Sequence, residues 1–164
     1  MIELRYSSTV LFVADIQRST AFYTKHFSQV IANDFGPCVG FTSGLALWQT
    51  DHAAKVTNTS VGSDLVSQRG GAELEFQTVD ISAAVAGLKA AGVRLLHDVI
   101  TQPWQQQAFR CFDPDGHLIE VGEDLAATAQ RLQSSGHDVE WIAQAFSMPP
   151  KLVQALLVTP LAKE

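Results

Sequence analysis

Between Arg110 and Glu123 the chain reads RCFDPDGHLIEVGE, and that stretch limits the folds open to the rest. In Asp113-Pro114-Asp115-Gly116 the proline presets φ at the second position of a tight turn, while the aspartates and the glycine supply local hydrogen bonds and positive φ. Two short strands are predicted to meet there. After the turn, Leu118, Ile119 and Val121 give β-prone apolar density, and Glu120 falls on the opposite face from Ile119 and Val121. A carboxylate inside such a strand needs a physical reason.

Upstream, the same order of signals occurs twice. Ser8 to Val13 reads as a strand, and Asp15 as the N-cap of a helix over Ile16 to Phe27 with Ala21, Phe22 and Phe27 as its buried stripe. Strands are predicted for Gln29 to Asp34 and Cys38 to Thr42, divided by Gly36-Pro37, and for Leu45 to Gln49 after Ser43-Gly44. The polar segment Thr50 to Gly71, rich in Ser, Thr, Asp and Gly, reads as a linker. Glu73 to Val79 is then a strand, Asp80 caps a helix that ends at Gly92, and Val93 to His97, Trp104 to Phe112 and His117 to Gly122 are three more strands. Asp80 repeats Asp15, and Gly116 repeats Gly44, at nearly the same interval. The expectation is an α+β fold of two tandem β-α-β-β-β units, about 1–50 and 71–124 with linker 51–70, whose curved mixed sheets surround a cavity.

A C-terminal helical extension, 125–164, follows. Leu125 to Ser134 is helix-like, Gly136 breaks it, Asp138 caps a second helix to Phe146, and Pro149-Pro150 opens a third that ends near Val158. Its apolar spacing resembles a helix-turn-helix, but the would-be reading helix carries Lys151 and otherwise Leu, Val, Gln and Ala, too little charge for phosphate contacts. A hydrophobic cap with Trp141, Ile142, Phe146 and Val153 on its buried side is expected instead.

The 164 residues suffice for one domain with a small appendage, and 46% hydrophobic content supports a sizeable core. A net charge of −6 argues against nucleic-acid and anionic-membrane partners, since both need a cationic footprint. It permits a cationic ligand. MIELRYSS lacks an apolar h-region, no run is long enough to span a bilayer, and Cys38 and Cys111 have no metal-type spacing. A cytoplasmic protein with reduced thiols is expected.

The D-P-D-G turn before a Glu-bearing last strand resembles the signature of the vicinal oxygen chelate superfamily, which includes glyoxalase I, extradiol dioxygenases and bleomycin-resistance proteins. Ser8 to Tyr23 (STVLFVADIQRSTAFY), Gly44 to Trp48 (GLALW) and Pro103-Trp104 extend the likeness to about residue 124. The resemblance implies the duplicated unit, a homodimer and a small-molecule site; its members share a scaffold and little chemistry.

Strand alternation places Ser8, Val10, Phe12, Ala46, Trp48, Glu73, Glu75, Gln77, Leu118 and Glu120 on the cavity side, with Leu11, Val13, Leu45, Leu47, Leu74, Phe76 and Thr78 toward the helices. Trp104 and Arg110 would share a face of the seventh strand if it carries no bulge. The candidate ligand-binding residues are Ser8, Phe12, Trp48, Glu73, Glu75, Trp104 and Glu120. Metal-dependent members of the superfamily ligate from four strand positions, which fall here on Ser8, Trp48, Glu73 and Glu120. Only the two glutamates suit a divalent ion, since a neutral hydroxyl is a poor ligand and indole offers no lone pair.

No cofactor is therefore expected. A divalent metal on Glu73 and Glu120, completed by His52 or a partner subunit, is the alternative. Three functions stay open. One is binding of a cationic or hydrogen-bond-donating small molecule, with Trp48, Phe12 and Trp104 stacking on it. The second is lyase or isomerase chemistry, with that metal or with Glu73 and Glu120 as catalytic acid and base sharing a proton. The third is scaffolding of an interaction through the helical tail. Arg110 is the natural internal partner of a strand carboxylate, and pairing with Glu120 would make that charge structural.

Overall fold

The computed structural model describes residues 5–57 and 71–161. The chain forms two compact units, Met1–Ala72 with Asp113–His117, and Glu73–Phe112 with Leu118–Glu164. Most of the expected linker lies outside the described residues.

The first unit comprises β1 (Thr9–Val13), α1 (Ile16–His26), β2 (Ile31–Asp34), β3 (Cys38–Phe41), β4 (Leu45–Gln49) and α2 (Thr50–Thr57), with sheet order β1-β4-β3-β2. β1 runs parallel to β4, and the other pairs are antiparallel. Asp15 caps α1 by accepting the Arg18 N–H at 3.0 Å. The helix packs on β3 and β4, and its buried stripe is Ile16, Ser19 and Tyr23, followed by Phe27. This corrects the expected stripe: Ala21 is exposed and Phe22 only half-buried. The offsets from Ile16 to Ser19 to Tyr23 to Phe27 run along one face, and Tyr23 joined it unseen because its hydroxyl suggests water.

α2 corrects the sequence reading of residues 50–57 as linker. Ala53 and Ala54 are buried, the Thr50 hydroxyl donates to the Val13 carbonyl at 3.0 Å, and the Asp51 carboxylate accepts the His52 N–H at 2.8 Å. Ala53, Ala54 and Lys55 are good helix formers, and the Ser- and Gly-rich remainder of the segment hid them.

The Asp113–His117 turn is a dense knot of hydrogen bonds. Asp113, 5% exposed, accepts the N–H groups of Asp115 and His117 at 2.9 and 2.8 Å, the His117 Nδ1 at 2.8 Å and the Tyr23 hydroxyl at 3.0 Å. Asp115 accepts from the Ala14 N–H at 2.9 Å, from Arg18 at 3.1 Å and from the Ser19 hydroxyl at 2.8 Å. Gly116 sits at φ 92°, where a side chain would be strained.

The second unit comprises β5 (Glu73–Thr78), α3 (Ile81–Ala90), β6 (Leu95–Thr101), β7 (Gln107–Phe112), β8 (Leu118–Glu123), α4 (Leu125–Ser134), α5 (Val139–Phe146) and α6 (Pro150–Val158). Its sheet order, β5-β8-β7-β6, repeats that of the first unit, again with one parallel pair, β5 with β8. α3, capped by Asp80, packs on β6, β7 and β8, and Phe109, Cys111, Ile119 and Val121 are buried in those strands. The alternate residues, Arg110 and Glu120 among them, face the other side.

Asp124 and Asp138 cap α4 and α5, and Pro150 opens α6. The three helices share a core of Ala129, Leu132, Ile142, Ala143 and Val153, with Phe146 and Met148 packed against it. Trp141 departs from the expected buried side: it is 39% exposed and stacks on the His137 ring at 3.7 Å. Ile142 and Ala143 take the interior, which turns Trp141 outward on so short a helix. Neither cysteine is in a disulfide, and no helix among the described residues is long and apolar enough to cross a membrane.

Burial alone would raise the Asp113 carboxyl, but hydrogen bonds from His117 and Tyr23, with attraction to the His117 ring, outweigh it and hold the group below its ordinary value. A depressed folded pKa stabilises the fold above the unfolded value of about 3.9, and that contribution fades as pH falls through the lower folded value. Tyr23→Phe is expected to lower the unfolding free energy by about 1–3 kcal/mol at neutral pH. In urea denaturation across pH, the gap from wild type should shrink as Asp113 protonates.

Candidate functional site

The register of the second sheet puts charge in a row. Glu75 on β5 pairs across from Glu120 on β8, and Glu120 pairs across from Arg110 on β7, while Glu73 and Gln77 lie on the same face of β5. Arg110 reaches over β8 to Glu73, with Nε donating to Oε2 at 2.9 Å and Nη2 to Oε1 at 3.3 Å, and it also forms an ion pair with Glu120. Its guanidinium thus sits with both carboxylates. The pairing with Glu120 that the sequence left open is present, and it extends to Glu73.

The two carboxylates respond in opposite ways. Hydrogen bonding from Arg110 holds Glu73 below its ordinary range against the opposing effect of burial. Burial pushes Glu120 up; attraction to Arg110 offsets part of that rise, and repulsion from Glu73 and Glu75 adds to it. Glu120 is only 7% exposed, whereas Glu73 and Glu75 are exposed. Where one alternative read from the sequence has the two glutamates sharing a proton, the structure has a carboxylate–guanidinium–carboxylate group.

Trp104 reaches this face by another route than expected. β7 begins only at Gln107, and Trp104 lies in the preceding loop, where Gln105 adopts φ 70°. The Trp104 indole N–H donates to the Gln106 Oε1 at 2.8 Å, and Gln106 Nε2 donates to the Glu123 carbonyl at 2.6 Å. Gln106 lies against Gly122, where an added Cβ would meet its Nε2 at 3.0 Å.

Buried Glu123 fixes the loop from the other side. Its carboxylate accepts Nε and Nη2 of Arg131 at 2.8 and 2.7 Å and the Thr128 hydroxyl at 3.0 Å, while Arg131 Nη2 also donates to the Gln105 carbonyl at 2.8 Å.

These residues enclose an open cleft of about 330 Å³. Glu75, Gln77 and Glu120 line it from the strands, Trp104 and Gln106 from the loop, and Leu125, Phe146 and, in the turn between α5 and α6, Met148 from the C-terminal extension. Gln77, Gln106 and the three residues of the extension were not among the candidate ligand-binding residues. The small residue at Gly122 was a faint signal for Gln106; nothing local marks Phe146 or Met148, which tertiary packing alone brings to the cleft.

The remaining candidates lie on the first unit. Phe12 and Trp48 are register partners with ring centroids 6.2 Å apart, and the Trp48 indole N–H donates to the Nδ1 of exposed His52 at 2.9 Å. Ser8 precedes β1 and is exposed.

The donor set does not fit a resident divalent metal. Arg110 places positive charge on the two glutamates that would have to bind it, the Trp48 nitrogen is a donor, and among the described residues no group of three or more His, Cys, Asp or Glu side chains could hold an ion.

A family model described as a glyoxalase-like domain matches residues 6–126. Among solved structures, a protein of unknown function from Agrobacterium tumefaciens is 36% identical, over 76% of this chain and 98% of that one, with a TM-score of 0.65. A glyoxalase-related enzyme from Fulvimarina pelagi is 21% identical over 73% of this chain and 88% of its own, with a TM-score of 0.62. A lactoylglutathione lyase from Agrobacterium tumefaciens is also 21% identical, over 71% and 90%, with a TM-score of 0.53. The latter two likenesses are of fold alone. No curated protein matches.

Gly122→Ala should push Gln106 off its bond to the Glu123 carbonyl and release the Trp104 indole. In ¹⁵N-labelled protein the expected outcome is a changed Trp104 indole resonance and faster exchange of its proton, with the Trp48 and Trp141 signals unmoved.

Proposed function

Since the chain belongs to the glyoxalase-like domain family, we propose that it uses the cleft of its second unit to bind a small organic cation with an apolar body. The observation that carries this reading is Glu120, a nearly buried carboxylate facing the cleft beside Glu75 and Trp104. Glu73, Glu75 and Glu120 share their sheet face with the guanidinium of Arg110, and three carboxylates beside one guanidinium leave negative charge for a ligand ammonium. The Trp104 ring supplies a surface for stacking or for a cation–π contact. A volume of about 330 Å³ suits a ligand of modest size. No resident cofactor is required.

The elevated pKa of Glu120 supports a second reading, in which its carboxylate takes a proton from a bound carbonyl compound in a metal-free isomerase or lyase step. Uptake of deuterium from D₂O at the carbon beside the carbonyl, abolished in Glu120→Gln, would establish it.

The binding reading carries a definite pH sign. Burial holds Glu120 protonated to higher pH than an ordinary glutamate, so cation affinity should rise as pH climbs through that elevated value and level off above it. Phenethylammonium titrated against tryptophan fluorescence should saturate. Glu120→Gln should weaken it about tenfold or more, in line with a charge-assisted contact of about 1.5–3 kcal/mol, and should flatten the pH dependence. No saturable response at millimolar concentration would overturn the reading.

A further inference from the structure

We infer that the C-terminal helices form the specificity wall of the cleft, selecting the ligand by the length of its apolar chain through Phe146 and Met148. This rests on the binding reading above and adds to it what the far end of the ligand meets. The two ends of the cleft have different origins. Its acidic end comes from β5 and β8, inside the stretch that matches the family model, whereas Phe146 and Met148 lie beyond residue 126, where that match stops. The part that varies the ligand's body is thus carried by a segment added to the shared scaffold.

The wall is built to hold its shape. Phe146 and Met148 flank Ser147, which ends α5 in the left-handed conformation at φ 52°, and the Met148 N–H returns to the Ala143 carbonyl at 3.0 Å. Both side chains also pack against the core of Ile142 and Val153, so each is supported from behind while it lines the cleft. α4 is fastened to the sheet by the Arg131 fork on Glu123, and the same guanidinium holds the Gln105 carbonyl in the loop bearing Trp104. Trp104 and the helical wall therefore keep a fixed spacing. A phenyl ring and a thioether offer a polarizable surface that takes up an unbranched alkyl or aryl chain and gives no hydrogen bond to a polar one.

Calorimetric titration of the full chain with ethylammonium, butylammonium and hexylammonium tests this. For wild type, each added methylene should tighten binding about fourfold, so that hexylammonium, four methylenes longer, binds roughly two hundredfold more tightly than ethylammonium. In Phe146→Ala and Met148→Ala that ratio should fall below about tenfold, whereas Glu120→Gln should weaken both probes and leave the ratio in place. Should Phe146→Ala melt the helical cap, as a thermal scan by circular dichroism would reveal, Phe146→Leu keeps the packing on Ile142 and should reduce the ratio by a smaller step.

A wild-type series that ignores chain length, or variants that keep the full ratio, would overturn the specificity wall and leave cation binding standing. Failure of wild type to bind any of the three probes would overturn both.

Discussion

The Arg110 guanidinium determines what kind of surface the second sheet can present. Parallel pairing of β5 with β8 stacks Glu75 beside Glu120 and puts Glu73 one step away on the same face, an arrangement that would repel itself without a cation. β8 is an inner strand, flanked by β5 and β7, and Glu120 is nearly buried there. An isolated ionised carboxylate at that depth would be costly enough to neutralise itself. Arg110 meets the need from the neighbouring antiparallel strand, but its forked donors go chiefly to Glu73. Burial raises the Glu120 carboxyl by more than Arg110 offsets, while hydrogen bonding from Arg110 holds Glu73 below its ordinary range, and the two shifts are therefore opposite. The proposed affinity of the cleft for a cation rests on this incomplete neutralisation.

The first unit, described by itself, shows the same topology put to a different use. Its corresponding row across β1, β4 and β3 is Phe12, Trp48 and Cys38, an aromatic and thiol row with no counter-charge to satisfy. Duplication has preserved strand order and helix capping, by Asp15 in one unit and Asp80 in the other. The chemistry of the exposed sheet face was free to differ, because α1 and α3 lie against one face of their sheets and constrain mainly those residues. The scaffold therefore specifies where a functional side chain will point and leaves its identity open.

Much of this was legible in the sequence wherever a short-range rule governs. Aspartate caps, the D-P-D-G turn and the alternation around Glu120 each depend on residues within a few positions of one another, and each fell where expected. The breaks at Gly136 and Pro149 likewise placed all three C-terminal helices. The misreadings share a cause: something distant decided the outcome. Trp104 left its strand because Gln105 turns through positive φ and Gln106 is needed for a bond to the Glu123 carbonyl. The α2 segment is helical because Ala53 and Ala54 find a core against β1 and β4. Trp141 turned outward because Ile142 and Ala143 already occupied the interior. Arg110 was visible as a partner for a carboxylate, but not as one reaching two of them, since its span over β8 exists only once the register is set.

The ion pair of buried Glu123 with half-buried Arg131 connects the extension to the site. A buried ion pair adds little net stability when weighed against apolar residues of the same volume, because desolvation consumes most of the attraction. This one is also hydrogen-bonded on every side. Thr128 donates to the carboxylate, Gln106 takes the Glu123 carbonyl, and Arg131 reaches on to the Gln105 carbonyl. An apolar pair in its place would fill the volume and still deprive the Gln105 carbonyl of its Arg131 donor, so the loop carrying Trp104 would lose that tie to α4. The pair is thus better understood through what it positions than through the stability it adds. A helical segment fastened to the scaffold by this fork can set the shape of a cleft whose charged residues lie on other strands.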